Sequence, residues 1–156
     1  MIDGVQIIPL KVIPDSRGRI LHFMRKDHPA FKDSDVQEVY FSLIYPGAIK
    51  AWHRHSRMTL NYVVPVGNIK LVLYDTRADS PTAYDLNEYF IGENSHYQII
   101  RVPPMIWNGF MSLGGQSALV SNVTNSIHDP SEMERMHPQT FSKEVFQYSW
   151  GSSFIG

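Results

Sequence analysis

The 156-residue chain has no cysteine, which excludes a disulfide framework, a thiolate nucleophile and any cysteine-ligated metal centre. It also lacks an excess of either charge. Fourteen Lys and Arg against 15 Asp and Glu leave a formal net charge of −1, too little field to gather nucleic acid or an anionic membrane. The expected partner is therefore a small molecule or another protein. The opening MIDGVQIIPLKVIPD has no basic segment followed by an apolar one, so no secretory leader is read there and the cytoplasm is the expected location. Helical periodicity is nearly absent along the whole chain.

What is present is a moderate apolar share of 43%, with 12% aromatic and 19% charged residues, enough to build one core without staples. A single domain over residues 1–150 with a short tail at 151–156 is expected. Short Val-, Ile-, Tyr- and Phe-rich segments alternate with turn signals such as Pro14-Asp15-Ser16-Arg17-Gly18, Tyr45-Pro46-Gly47, Pro65-Val66-Gly67-Asn68 and Leu113-Gly114-Gly115. Strands are expected near 5–12, 19–24, 37–44, 49–53, 58–64, 69–75, 84–91, 97–102, 108–113 and 118–123, with a further one at 144–150. Residues 29–36 suit a short helix or a crossing loop, and 129–138 a single helical turn. Many short strands without helices close most economically as a barrel or jelly roll, because closure removes exposed edges. The fold class expected is all-β.

The most informative segment is Gly47-Ala48-Ile49-Lys50-Ala51-Trp52-His53-Arg54-His55, in which a tight turn feeds a strand ending in His-x-His. Strict alternation puts His53 and His55 on one face with Ile49 and Ala51, and turns Lys50 to the other unless the strand bulges. Five residues separate Gly47 from His53, and Gly67 follows His55 by twelve. This run resembles the first motif of the cupin superfamily, and Pro103-Pro104-Met105-Ile106-Trp107-Asn108 resembles the second. The resemblance implies a double-stranded β-helix barrel. Two cupin ligand slots hold Leu60 and Asn108 instead of an acid and a histidine, and two imidazoles plus an amide hold metal weakly, so no metal and no cofactor are expected.

A broader likeness runs through Ile13-Pro14-Asp15-Ser16-Arg17-Gly18, Lys50-Ala51-Trp52-His53, the Asp75-Thr76-Arg77-Ala78-Asp79-Ser80-Pro81-Thr82 element, and Pro103-Pro104 with Asn108-Gly109-Phe110. Taken in this order the chain resembles the dTDP-4-dehydrorhamnose 3,5-epimerases, cupin-fold homodimers of nucleotide-sugar metabolism. That resemblance implies His53 as general base, removing a proton beside the ketone of a 4-keto-6-deoxyhexose, as a neutral imidazole can. It implies substrate contacts at Arg17 and Lys50, with His55, Asn108 and Ser121 as further candidates. Ser121 stands where the family's donor tyrosine does, so the acid is sought in Tyr40 or Tyr62, and the carboxylate that orients the base in Glu144. Other readings of the same residues are a related cupin acting on a different small molecule, a metal-dependent cupin built on His53 and His55, and a non-catalytic sugar binder. Trp52 and Trp107 are read either as stacking surfaces at the mouth or as core, and Asp75 with Arg77 as a turn or surface pair.

Overall fold

The structure is a computed structural model that describes residues 1–28, 31, 35–138 and 148–151. Its strands are β1 (Gln6–Pro9), β2 (Val12–Asp15), β3 (Gly18–Leu21), β4 (Glu38–Ile44), β5 (Ile49–His55), β6 (Leu60–Val66), β7 (Asn68–Asp75), β8 (Leu86–Gly92), β9 (Gln98–Val102), β10 (Ile106–Ser112), β11 (Ala118–Thr124) and β12 (Met133–Arg135). Two five-stranded sheets, ordered β1-β9-β6-β11-β4 and β12-β5-β10-β7-β8, face one another, and β2-β3 forms a separate hairpin. This is the single-domain, all-β jelly roll that the strand pattern implies.

Alternation drives the packing. Inward residues of both sheets, among them Leu60, Val64, Leu71, Leu73, Ile100 and Ile106, form the main core. A second cluster of Ile49, Trp52, Val72, Trp107, Met111 and Trp150 packs on the outer face of β5, β10 and β7. A third, of Ile8, Phe31, Val63 and Ile99, covers the outer face of the opposite sheet. Strands buried on both faces lose the alternating pattern, as Leu71–Tyr74 does with a continuous apolar run and Leu60–Val64 does with Asn61 as its one polar residue.

Three expectations change. The single strand expected at 5–12 is two, because β1 pairs with β9 whereas β2 turns away to pair with β3. The helical turn expected at 129–138 shrinks to a 3-10 turn, Pro130–Glu132, capped by the Asp129 side chain. The chain then extends as β12 and pairs with β5, which satisfies that strand's otherwise open edge. Tyr148–Trp150 is not strand. Its rings pack on Trp52, with centroids 5.6 Å away for Tyr148 and 4.9 Å for Trp150. Most of the segments at 29–36 and 144–150 lies outside the described residues.

Strand β5 departs from regular pleating between Lys50 and His53. Asn108 of β10 sits opposite His53, yet Phe110 sits opposite Lys50, so two steps on one strand meet three on the other. The extra residue is a β-bulge, and it brings Lys50 and His53 to the same cavity. Gly109 lies against the bulge: a Cβ there would stand 2.4 Å from the Ala51 Cβ and 3.0 Å from its Cα. Gly109→Val is expected to push β5 away from β10, lower Tm and impair turnover together. Retention of both in a thermal melt and a rate assay would show that the bulge does not hold the site.

Candidate active site

Between the two sheets, at the end closed by the 128–138 segment, lies a cavity of about 800 Å³. One wall comes from β4, β6 and β11 through Tyr40, Tyr62 and Asn122, and the other from β5 through Lys50, His53 and His55. Arg135 of β12, the cross-strand partner of His53, completes the rim.

His53 is held by a chain of polar groups that crosses the cavity floor. Its Nε2 lies 3.0 Å from the Tyr62 hydroxyl, and that hydroxyl lies 2.9 Å from Asn108 Oδ1. Asn108 is 1% exposed, and its Nδ2 donates to the backbone carbonyls of His53 at 3.0 Å and Ile106 at 3.3 Å. Burial, together with neighbouring His55 and Arg135, disfavours the imidazolium and pushes the His53 pKa down from 6.5 to about 3. His53 is therefore neutral at physiological pH, the form a general base needs.

Tyr40 stands on the opposite wall in a different setting. The Asn122 amide donates to its oxygen at 2.7 Å, while Asn122 Oδ1 accepts from the Asn61 backbone N–H at 2.9 Å. The Asn61 bond fixes the amide's orientation, so the Tyr40 oxygen is the acceptor and its own proton has no acceptor among the described residues. Burial raises the Tyr40 pKa, which keeps the hydroxyl protonated.

His55 is tied up differently. It is 4% exposed, its Nδ1 is hydrogen-bonded to Glu132, and Glu132 also accepts from the backbone N–H groups of Arg57 and Met58. Buried carboxylates need such partners. Glu132 escaped the sequence reading, because it pairs with a residue 77 positions away and only the Asp-Pro start of its turn is a local signal. Among the described residues no three His, Asp or Glu side chains form a metal-holding group.

Several expected site residues lie elsewhere. Arg17 sits in the β2–β3 turn with 88% of its side chain exposed, bonded to Asp15. Ser121 lies opposite Phe41 and Val63, the row facing away from the cavity, because Asn122 and Val120 take the inward positions of β11. A one-residue offset in strand register decides this. Asn108 meets the cavity contents only through Tyr62 and His53. Trp107 belongs to the outer cluster, beneath the Arg54 guanidinium. Trp52 belongs to the same cluster while also bordering the cavity. Glu144 lies outside the described residues. Asp75, read as a turn or surface pair, is fully buried.

A jelly roll with a neutral imidazole and a protonated phenol on facing walls of an internal cavity belongs to the cupin-type class of small-molecule proteins. Within that class the chain belongs to the dTDP-4-dehydrorhamnose 3,5-epimerase family, whose model matches residues 1–149. It is 36% identical over 129 residues to the probable low-salt glycan biosynthesis epimerase Agl13 of Haloferax volcanii, covering 82% of this chain and 81% of that protein. It is 27% identical over 154 residues to the spore coat polysaccharide biosynthesis protein SpsL of Bacillus subtilis, covering 99% of each. Among solved structures, a dTDP sugar isomerase from Desulfovibrio desulfuricans G20 superposes with a TM-score of 0.89 at 39% identity, over 98% of this chain and 94% of that one. The chain is thus a member of a sugar-nucleotide epimerase family. Among the described residues no helix is long and apolar enough to cross a membrane.

Proposed function

We propose that the protein epimerises a nucleotide-linked 4-keto-6-deoxyhexose, with His53 as the base and Tyr40 as the acid. The observation that carries this reading is the pairing of a neutral imidazole on one wall with a hydroxyl whose proton is uncommitted on the other. A C–H beside a ketone is acidified because its electron pair delocalises into an enolate. His53 takes that proton from one face, and Tyr40 returns one to the carbon from the opposite face, which inverts the centre. Lys50 and Arg135 border the cavity, and their positive charges suit the diphosphate. Arg17 and Ser121 are not assigned to this site.

Incubation with dTDP-4-keto-6-deoxyglucose in deuterated water tests the reading. Deuterium is expected at a carbon beside the ketone, and its absence with dTDP-, UDP- and GDP-linked ketosugars alike would reject the assignment. Tyr40→Phe is expected to lower kcat by about 10²-fold or more with KM little changed. If Tyr40→Phe turns over like the parent, the acid is another group.

The quaternary state we propose is a homodimer. Strand β4 is a sheet edge whose outward row, Val39, Phe41 and Leu43, is exposed at 51%, 62% and 51%. An apolar edge of this kind is ordinarily covered. Light scattering is expected to give twice the chain mass, and Phe41→Lys the chain mass alone. A monomeric parent would refute the dimer. The proposed location is the cytoplasm, where nucleotide sugars are made; recovery in a membrane or secreted fraction would contradict it.

A further inference from the structure

Which nitrogen of His53 carries its proton follows from the hydrogen bonds of Tyr62 and Asn108. Asn108 Nδ2 donates to two backbone carbonyls, those of His53 and Ile106, so its amide has only one orientation and Oδ1 must face Tyr62. Oδ1 is an acceptor only, and the Tyr62 oxygen lies 2.9 Å from it. The single phenolic proton must therefore lie between these two oxygens. Were it turned to His53 instead, two oxygen lone pairs would face each other at hydrogen-bond distance in a buried setting. With its proton so committed, the Tyr62 oxygen can only accept from His53 Nε2 at 3.0 Å.

Resting on the epimerase reading above, we propose that Asn108 and Tyr62 are positioning residues that hold His53 as its Nε2–H tautomer, so the proton-abstracting atom is Nδ1. In the chemical step the substrate C–H bond breaks and its electron pair enters the enolate. Nδ1 takes the proton, and the resulting imidazolium still donates from Nε2 to Tyr62. The chain of hydrogen bonds is the same before and after transfer, so nothing in the floor has to turn while the charge forms. The enolate then takes a proton from Tyr40, whose oxyanion accepts from Asn122, and solvent exchange restores both groups. This separates the two tyrosines: Tyr62 sets the tautomer and Tyr40 supplies the proton.

The test is nitrogen-15 NMR of the resting protein labelled at histidine, with the His53 signals assigned by their loss in His53→Gln. A protonated Nε2 and a bare Nδ1 are expected. A protonated Nδ1 in the parent would overturn the inference, whatever the activity. In Asn108→Leu the freed Tyr62 proton is expected to swing to Nε2 and flip the tautomer to Nδ1–H. That change is expected to lower kcat by about 10²–10⁴-fold with KM nearly unchanged, as a wrong-tautomer base does. If that variant does not fold, Tyr62→Phe gives the same comparison, with His53 expected to show mixed tautomers, and a single unchanged Nε2–H form there would refute the role of Tyr62. Absence of deuterium uptake with every ketosugar, alongside the Nε2–H signature, would reject the substrate assignment and leave the tautomer standing. Uptake with an Nδ1–H signature would do the reverse.

Discussion

His53→Ala is expected to lose about 10³-fold or more in kcat while its melting curve at neutral pH remains close to the parent's. The reason lies in where the side chain is spent. His53 borders the cavity and bonds one hydroxyl, so its removal costs little packing, whereas the other histidine of β5 in the cavity wall, His55, is bonded to Glu132. The pH dependence follows from the lowered pKa. Because folding moves His53 from 6.5 to about 3, kcat/KM is expected to stay flat from neutrality to well below pH 6.5, instead of falling there as a solvent-exposed histidine would require. Stability carries the same signature with a definite sign. Between pH 6.5 and about 3 the unfolded chain holds the proton and the folded one does not, so stability falls as pH falls through that window. In His53→Ala that slope is expected to be shallower. An unchanged slope, or an unchanged kcat, would show that His53 is neither buried nor basic in the manner described.

Asp75→Asn is expected to be the most damaging change away from the cavity. Asp75 accepts from the Arg77 backbone at 3.0 Å, from Arg77 Nε and Nη2 at 2.8 Å each, from Ser80 at 2.7 Å and from Thr82 at 2.9 Å. Burial alone would push its pKa up, but the Arg77, Ser80 and Thr82 donors outweigh it and hold the carboxyl well below the usual range. Arg77 also donates to the Asp3 carbonyl at 2.8 Å, so the knot fastens the N-terminal segment to the end of β7. An amide cannot accept from all these donors and leaves the Arg77 guanidinium without its counter-charge. Loss of one member of a buried pair costs about 3–5 kcal/mol, a fall in Tm of roughly 10 °C for a domain of this size. The carboxylate contributes above its unfolded pKa near 3.8, so the gap between parent and variant is expected to narrow as pH drops below that value. A thermal melt at neutral and acid pH checks both points, and a variant melting with the parent at neutral pH would contradict them.

The same Asp75 shows why a motif is easier to see than to interpret. The Asp-x-Arg-x-x-Ser-Pro-Thr run is visible as letters, and a polar cluster at a strand end reads as a turn or surface pair. Only burial turned it into a structural knot. Tyr40 and Tyr62 looked equivalent as letters on two strands, yet each meets a different asparagine. Asn122 accepts from a neighbouring strand's N–H and so donates to Tyr40, while Asn108 donates to carbonyls and so accepts from Tyr62.

The sequence by itself determined the fold class, the strand count to within a few breaks, the family, and His53 as the residue to ask about. Those depend on local chemistry: alternation, turn residues, and a glycine-bounded His-x-His. Tertiary structure decided the rest. Ser121 faces outward and Asn122 inward because side-chain direction on a strand depends on register, and register is set by partners some 60 to 80 positions away. Lys50 reaches the cavity because a bulge against Gly109 adds one residue to β5. Glu132 reaches His55 only after β12 closes the sheet edge. The protonation of His53 depends on burial and on an amide held by backbone carbonyls, neither of which exists until the strands have paired.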